Sequence, residues 1–99
     1  MSDRDLRVAA TERLRTMKAA ANGGDLEAQL SLGAAYNDCE GNAELGVKKR
    51  NLKEAVKWFS KAAEQGDPHA QVFMARSCDT GEGVIRNIAQ AADWYRKVG

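Results

Sequence analysis

Residues that could perform acid–base, nucleophilic or metal chemistry are few in this chain, and their spacing forms no recognised site. The 99 residues include one histidine, His69, and two cysteines, Cys39 and Cys78. No CxxC pair occurs, and His69 lies in a predicted first helical turn with no acid or nucleophile placed beside it, so neither a zinc site nor a catalytic base is indicated. We expect His69 to be exposed or to line a groove. Cys78 should be a buried, reduced thiol on the apolar face of a helix.

The segment 38–50 begins like a calcium-binding loop but does not continue as one. Asp38, Glu40 and Asn42 resemble the first ligands of such a loop. Ala43, however, stands where glycine is required, and Lys49 stands where the bidentate acid should be. We therefore expect no metal here. Because phosphate-binding loops and nucleophile motifs are also missing from the sequence, it predicts a protein that is not an enzyme and that needs no cofactor.

Charge and hydropathy exclude further classes of partner. The 15 basic and 14 acidic residues nearly balance and are spread along the chain, which argues against binding to nucleic acid or to an anionic membrane. The short run 48–50 is interpreted as a solvated loop. No apolar run approaches the roughly 18 residues of a membrane span. The charged N-terminus is followed by no apolar signal core, which predicts a cytoplasmic location.

The stretch 54–71 shows how the elements are specified. Apolar residues at positions 55, 58, 59, 62 and 63 recur at helical spacing and form one face. Gly66 should end that helix in the left-handed conformation that glycine adopts most readily. Asp67 suits the N-cap of the next helix, and Pro68 suits its first position. The pattern therefore predicts two antiparallel helices joined by a tight turn.

The same signals predict five helices in all. They cover about 3–22, 25–37, 51–65, 67–79 and 87–98, and 38–50 is the longest loop. On the first helix, Leu6 falls near the apolar face; on the last, Tyr95 and Val98 fall on the predicted buried side. Gly33 lies within the second helix, where glycine costs about 1 kcal/mol relative to alanine. We expect close helix–helix approach at this residue, so that a larger side chain would clash.

The second half of the chain repeats the first. Residues 24–29 match 66–71, the pair 46–47 matches 83–84, and 55–61 match 91–97 at the alanine, tryptophan and lysine positions. The offset is 42 at the start and 36 at the tryptophans. Residues 18–23 echo 61–66. The difference of six residues falls in and just after the 38–50 loop, where an insertion is tolerated.

These spaced positions resemble the Sel1-like repeat family, a relative of the tetratricopeptide repeats. The motif carriers include Leu32-Gly33 followed by Tyr36, and Trp58 followed by Lys61. Met74 and Cys78 depart from the usual leucine and tyrosine. The resemblance implies an all-α, right-handed α-solenoid of antiparallel helix pairs in a single domain, 1–99. It would hold a half repeat at 3–22, repeat one at 24–65 with the inserted loop 38–50, and repeat two at 66–98.

The resemblance also implies a module that scaffolds other proteins. By alignment with the tetratricopeptide pattern, eight residues should line the concave groove: Glu27, Leu30, Ala34, Asn37, His69, Val72, Arg76 and Asp79. Arg76 is the one expected to matter most, because arginine is enriched in binding hot spots. Seven residues should form the repeat core: Leu32, Gly33, Tyr36, Trp58, Met74, Cys78 and Trp94.

Three functional hypotheses remain open from the sequence. The first is a protein-interaction adaptor that binds a peptide or partner protein in the groove. The alternative is a dedicated inhibitor or immunity-type protein that occludes one cognate partner with the 38–50 loop. The third is a purely structural role through self-association, in which an exposed apolar face of the last helix predicts either a homodimer or a longer natural chain of which this sequence is a part.

Overall fold

Five α-helices follow one another in the described part of the chain. The computed structural model describes residues 2–38, 41–42 and 45–98. Its helices are α1 (Asp3–Asn22), α2 (Leu26–Asn37), α3 (Leu52–Glu64), α4 (Pro68–Thr80) and α5 (Ile88–Val98). Each helix packs on its neighbours in the chain. The predicted all-α repeat fold is confirmed. Cys39, Glu40, Ala43 and Glu44 lie outside the described residues, so the sequence-based expectations about them are not addressed.

Side-chain caps fix where four of the helices begin. Asp25, Asn51, Asp67 and Asn87 each accept a hydrogen bond from the backbone N–H three residues later, at 3.0, 3.2, 2.8 and 3.0 Å. Such a cap contributes about 1 kcal/mol to helix stability. Because a cap acts within one turn, it marks these boundaries in the sequence as well as in the structure.

The two helix–turn–helix junctions share a glutamine bridge. Gln29 Nε2 donates to the Ala21 carbonyl at 2.9 Å, and Gln71 Nε2 donates to the Ala63 carbonyl at 3.2 Å. Both glutamines are buried. The bridges stand 42 residues apart at both ends, so α1 and α2 correspond to α3 and α4 with a uniform offset of 42.

This offset corrects the pairing of 18–23 with 61–66, which is wrong by one residue. The alanine run at 19–21 fits either alignment, and the hydrogen bonds of the two glutamines distinguish them. The contacts of two loop glycines agree with this offset. Gly46 lies against the Ala10 backbone and Gly83 lies against the Leu52 backbone, and Ala10 and Leu52 are equivalent positions at an offset of 42. In the corrected register, Met17 corresponds to Phe59.

The core consists of two adjoining clusters, one centred on Trp58 and Leu32 and the other on Met74 and Trp94. All seven residues expected in the repeat core are buried. At Gly33, an added Cβ would lie 2.8 Å from the Phe59 ring. The expected close approach at this glycine is therefore present.

Three residues expected on buried faces are exposed, and these expectations are corrected. Leu6, Tyr95 and Val98 are 50%, 46% and 36% exposed. Tyr95 holds on α5 the position that Phe59 holds on α3, where the following helix covers it. Within the described residues no helix follows α5. Leu6 lies at the open end of α1, where residues 46–48 are its neighbours across a shallow cavity.

Candidate functional site

Four of the expected groove residues form a stripe along α2. Glu27, Leu30, Ala34 and Asn37 recur at helical spacing, and each lines a cavity on this side of the molecule. The first cavity, of about 800 Å³, includes Glu27 and Leu30. The second, of about 390 Å³, includes Ala34. Open space therefore lies beside this stripe of residues along α2.

Of the four groove residues expected on α4, only Arg76 lines one of the three cavities. Arg76 joins Asn37 and Phe73 around a third cavity of about 150 Å³. His69, Val72 and Asp79 line none of these three cavities; His69 and Asp79 are exposed and Val72 is half-buried. The structure brings Arg76 together with the end of the α2 stripe. The other three do not line these cavities.

Sequence reasoning missed three residues that join the first two cavities. Met17 of α1, Ser31 of α2 and Leu45 of the loop line both. Met17 lies among the apolar residues of α1 and is only half-buried. An apolar leucine in a polar inserted loop is the signal that could have drawn attention to Leu45.

The position of Leu45 follows from a tight turn within the inserted loop. Asn42 and Val47 form an antiparallel bridge through two backbone hydrogen bonds of 2.7 and 2.8 Å. The Asn42 side chain also accepts from the Leu45 N–H at 3.1 Å. Val47 is buried in the core cluster centred on Trp58 and Leu32, and this burial holds the turn in place. The loop therefore presents Leu45 beside α1 and α2.

The charges around the cavities differ between the two ends of α2. The first cavity is lined by Glu12, Asp25 and Glu27 against a single base, Arg13. Around the third cavity two arginines, at positions 50 and 76, stand against Glu82. The groove is therefore acidic near the start of α2 and basic near its end. A partner segment with opposite polarity would be complementary to it.

Leu30 contributes to both groove and core. It is half-buried and packs against the core cluster centred on Met74 and Trp94. An acidic replacement would therefore lower stability as well as change the groove. Glu27 and Arg76 are exposed, so substitutions there report on binding more directly.

The two tryptophans belong to the core rather than to the groove. Trp58 is fully buried and Trp94 nearly so. Lysine ammonium groups lie over the rings: Lys57 is 4.8 Å from the Trp58 centroid and Lys97 is 4.3 Å from the Trp94 centroid. These cation–π contacts stabilise the helix surface next to the core.

The described residues offer little for metal or thiol chemistry. Among them, no group of three or more His, Cys, Asp or Glu side chains is placed to hold a metal ion. Burial raises the pKa of the Cys78 thiol, whose Sγ lies 3.7 Å from Gln90 Oε1. Across the same described ranges, no helix is both long and apolar enough to cross a membrane.

Comparison with known proteins identifies the repeat. The Sel1 repeat profile matches residues 26–67 and 68–97. Over 84 residues the chain is 32% identical to eukaryotic elongation factor 2 kinase of Mus musculus, a match that covers 77% of this chain and 12% of the kinase.

Two solved structures share the fold. A Sel1 repeat protein from Oxalobacter formigenes aligns with a TM-score of 0.72 and 34% identity, over 86% of this chain and 32% of that one. A protective antigen of uropathogenic Escherichia coli with an SLR fold aligns with a TM-score of 0.68 and 38% identity, over 86% of this chain and 17% of the antigen. The chain spans less than a third of each of these three relatives. With both of its repeat units matched, this chain belongs to the Sel1 repeat family.

Proposed function

We propose that this chain is a non-catalytic protein-interaction module that binds a segment of a partner protein along α2. One observation carries the proposal: the stripe from Glu27 to Asn37 runs beside three cavities whose charge changes sign from one end to the other. A mixed apolar and charged groove of this kind suits an extended peptide or a partner helix. Membership of the Sel1 repeat family, whose helical modules typically mediate protein interaction, supports the same function.

The size of the groove sets the scale of the interaction. The 12 residues of α2 form a helix about 18 Å long. An extended chain advances about 3.3–3.6 Å per residue, so roughly five or six residues would follow the groove. With so few anchors we expect micromolar affinity, which corresponds to about −8 kcal/mol.

The kinase activity in the name of one relative is not part of this proposal. The match covers 12% of that kinase, and the alignment falls on the repeat region. The shared feature is therefore a helical repeat, and repeats of this type serve many different proteins.

A second candidate function is a dedicated inhibitor of one cognate protein. It is favoured by the inserted loop, because Leu45 lines the same two cavities as α2. In that case Leu45→Ala should abolish binding to the cognate protein. In an adaptor that relies on the charged ends of the groove, the same change should weaken binding only modestly.

Affinity capture from native cell extract tests the proposal. We expect wild type to retain a partner that a Glu27→Lys/Arg76→Glu variant loses, because both ends of the groove reverse their charge. The matched control is Lys53→Glu/Glu64→Lys, which makes the same exchange at exposed positions on α3. Equal retention by all three proteins, with unchanged helicity, would contradict binding along α2.

A homodimer through α5 remains a separate prediction. Ile88, Tyr95 and Val98 are exposed on that helix. Light scattering of the wild type and of Tyr95→Glu would test it: a dimer that the substitution dissociates would support this surface, and a wild-type monomer would rule the dimer out.

A further inference from the structure

Two aromatic rings fill the space between α3 and α4. The Phe59 and Phe73 ring centroids are 4.2 Å apart, with the ring planes tilted by 35°. Phe59 also lies against Gly33 of α2. Both rings adjoin both core clusters, so this pair seals the junction between consecutive repeats.

The α1–α2 hairpin has smaller groups at the equivalent positions. With the offset of 42 fixed by the glutamine bridges, Met17 corresponds to Phe59 and Ser31 corresponds to Phe73. Met17 and Ser31 both line the first two cavities. Space that aromatic rings fill in one hairpin is therefore open to solvent in the other.

The lining of this space suits an aromatic ring. Met17, Leu30 and Leu45 surround Ser31 with apolar groups. A thioether makes favourable contacts with the edge of an aromatic ring, and a buried aromatic side chain removes a large apolar area from water. A ring inserted beside Met17 would reproduce the packing that Phe73 provides beside Phe59.

A covering helix of the type that α2 forms on α3 fits this surface poorly. On α3, α2 covers Ala55 and Trp58, which are both fully buried. The equivalent residues of α1 are Arg13 and Thr16, and both are exposed. Burying Arg13 beneath an apolar helix face would carry a large desolvation cost. A single inserted side chain avoids that cost.

The charges at the rim define what should flank the ring. Glu12, Asp25 and Glu27 line the first cavity with one base, Arg13, and Glu12 is also ion-paired with Arg15 at 3.8 Å. Asp25 and Glu27 therefore leave an excess of carboxylates at the α2 side of the rim, which attracts a cationic neighbour. The occupant should therefore carry lysine or arginine next to its aromatic residue.

We propose that the cavity between α1 and α2 holds an aromatic side chain of a partner segment in which a lysine or arginine is adjacent to that aromatic residue. This proposal rests on the proposed interaction function and specifies the chemistry of its partner. It places the anchor beside Met17 and Ser31, and the basic group near Glu27.

The proposal can be tested with dipeptide probes on the intact chain. Binding of N-acetyl-phenylalanyl-arginine amide would be followed by amide chemical shifts in the isotope-labelled protein. We expect saturable shifts centred on Met17, Ser31 and Leu45. N-acetyl-alanyl-arginine amide, which lacks the ring, and N-acetyl-phenylalanyl-glutamate amide, which has the opposite charge, should each bind at least tenfold more weakly.

Two variants separate the ring site from the charged rim. Ser31→Phe should fill the cavity, weaken binding of the phenylalanyl-arginine probe at least tenfold and leave thermal stability equal or higher. Glu27→Gln, an exposed change, should weaken binding of the same probe severalfold. Glu27→Gln should leave the binding of N-acetyl-phenylalanyl-glutamine amide, which has no charge next to the ring, unchanged. This variant keeps the proposal testable if Ser31→Phe does not fold.

The contrary results are equally definite. The proposal is overturned by shifts that fall elsewhere, by equal binding of the ring-free probe, or by undiminished binding to folded Ser31→Phe. A captured partner that needs Glu27 and Arg76 but binds Ser31→Phe normally would overturn this proposal alone. Partner capture that is indifferent to the groove charges, together with dipeptide binding at Ser31, would instead count against the proposed function.

Discussion

Replacing Gly33 with alanine should destabilise this protein, although alanine is the better helix former. Three atoms of the Phe59 ring, Cγ, Cδ2 and Cε2, lie 2.8–2.9 Å from the position of the new Cβ. Cγ is fixed next to the backbone, so rotation of the ring about its own axis does not remove the contact. Phe73 limits movement on the other side, with its centroid 4.2 Å away.

The magnitude follows from two opposing terms. Alanine gains about 1 kcal/mol of helix propensity over glycine. Overpacking of a tight contact costs about 1–3 kcal/mol, and the constrained ring at Phe59 favours the upper part of that range. We therefore expect Gly33→Ala to lower the free energy of unfolding by about 1–2 kcal/mol. For a chain of this size, each kcal/mol corresponds to a Tm shift of about 4–8 °C.

A double-mutant cycle isolates the contact. Urea unfolding, followed by far-ultraviolet circular dichroism, would compare wild type, Gly33→Ala, Phe59→Leu and the double variant. In the Phe59→Leu background, Gly33→Ala should be neutral or stabilising, which gives a coupling energy within the range seen for contacting residues. The equivalent position is occupied by the buried Ala75, and the residue equivalent to Phe59 is the exposed Tyr95, so Ala75→Gly is the matched control and should cost at least about 1 kcal/mol. A stabilised Gly33→Ala single variant, or zero coupling, would refute the packing argument.

Three further predictions concern the core. Gln29→Ala should cost about 1 kcal/mol in urea unfolding, because the Ala21 carbonyl loses a buried donor and keeps only its bond from the Gly24 N–H; Gln65→Ala, which removes an exposed donor to Gln29 Oε1 at 2.8 Å, should cost less, and the reverse order would contradict the bridge. Trp58→Ala should cost about 3–5 kcal/mol, and an unchanged thermal midpoint would show that this side chain is not a core anchor. Burial raises the pKa of Cys78, so the folded state favours the neutral thiol; this contribution is complete below the unfolded pKa of about 8.5 and is lost as pH rises above it. In a Cys39→Ser variant, Cys78 should react with Ellman's reagent far more slowly at pH 8 when folded than in urea, and equal rates would contradict its burial.

Local signals explain why so much of the fold could be predicted. Helix spans follow from the 3.6-residue period and from caps that act within three residues, as at Asp67. The turn at Gly66 follows from its left-handed conformation, with φ of 96°. These properties depend on residues that are close in the sequence and do not depend on contacts between distant parts of the chain.

The candidate site was less predictable, because its features depend on which elements meet. The expected α2 positions line the cavities, but His69 and Val72 do not. Leu45 enters the site through a bridge between Asn42 and Val47, and no periodic pattern specifies such a loop. Only that folded arrangement places the loop beside α1.

The sequence by itself therefore determined the five helices, their caps and turns, and membership in a repeat family, because each rests on local chemistry or on spaced motifs. Tertiary structure decided the repeat register, since the alanine run at 19–21 is compatible with two alignments and the Gln29 bridge selects one. It also decided which apolar residues are covered, leaving Tyr95 exposed while Phe59 is packed. Whether an apolar side chain becomes core or surface depends on the element that packs against it, and that neighbour is set by the arrangement of the whole chain.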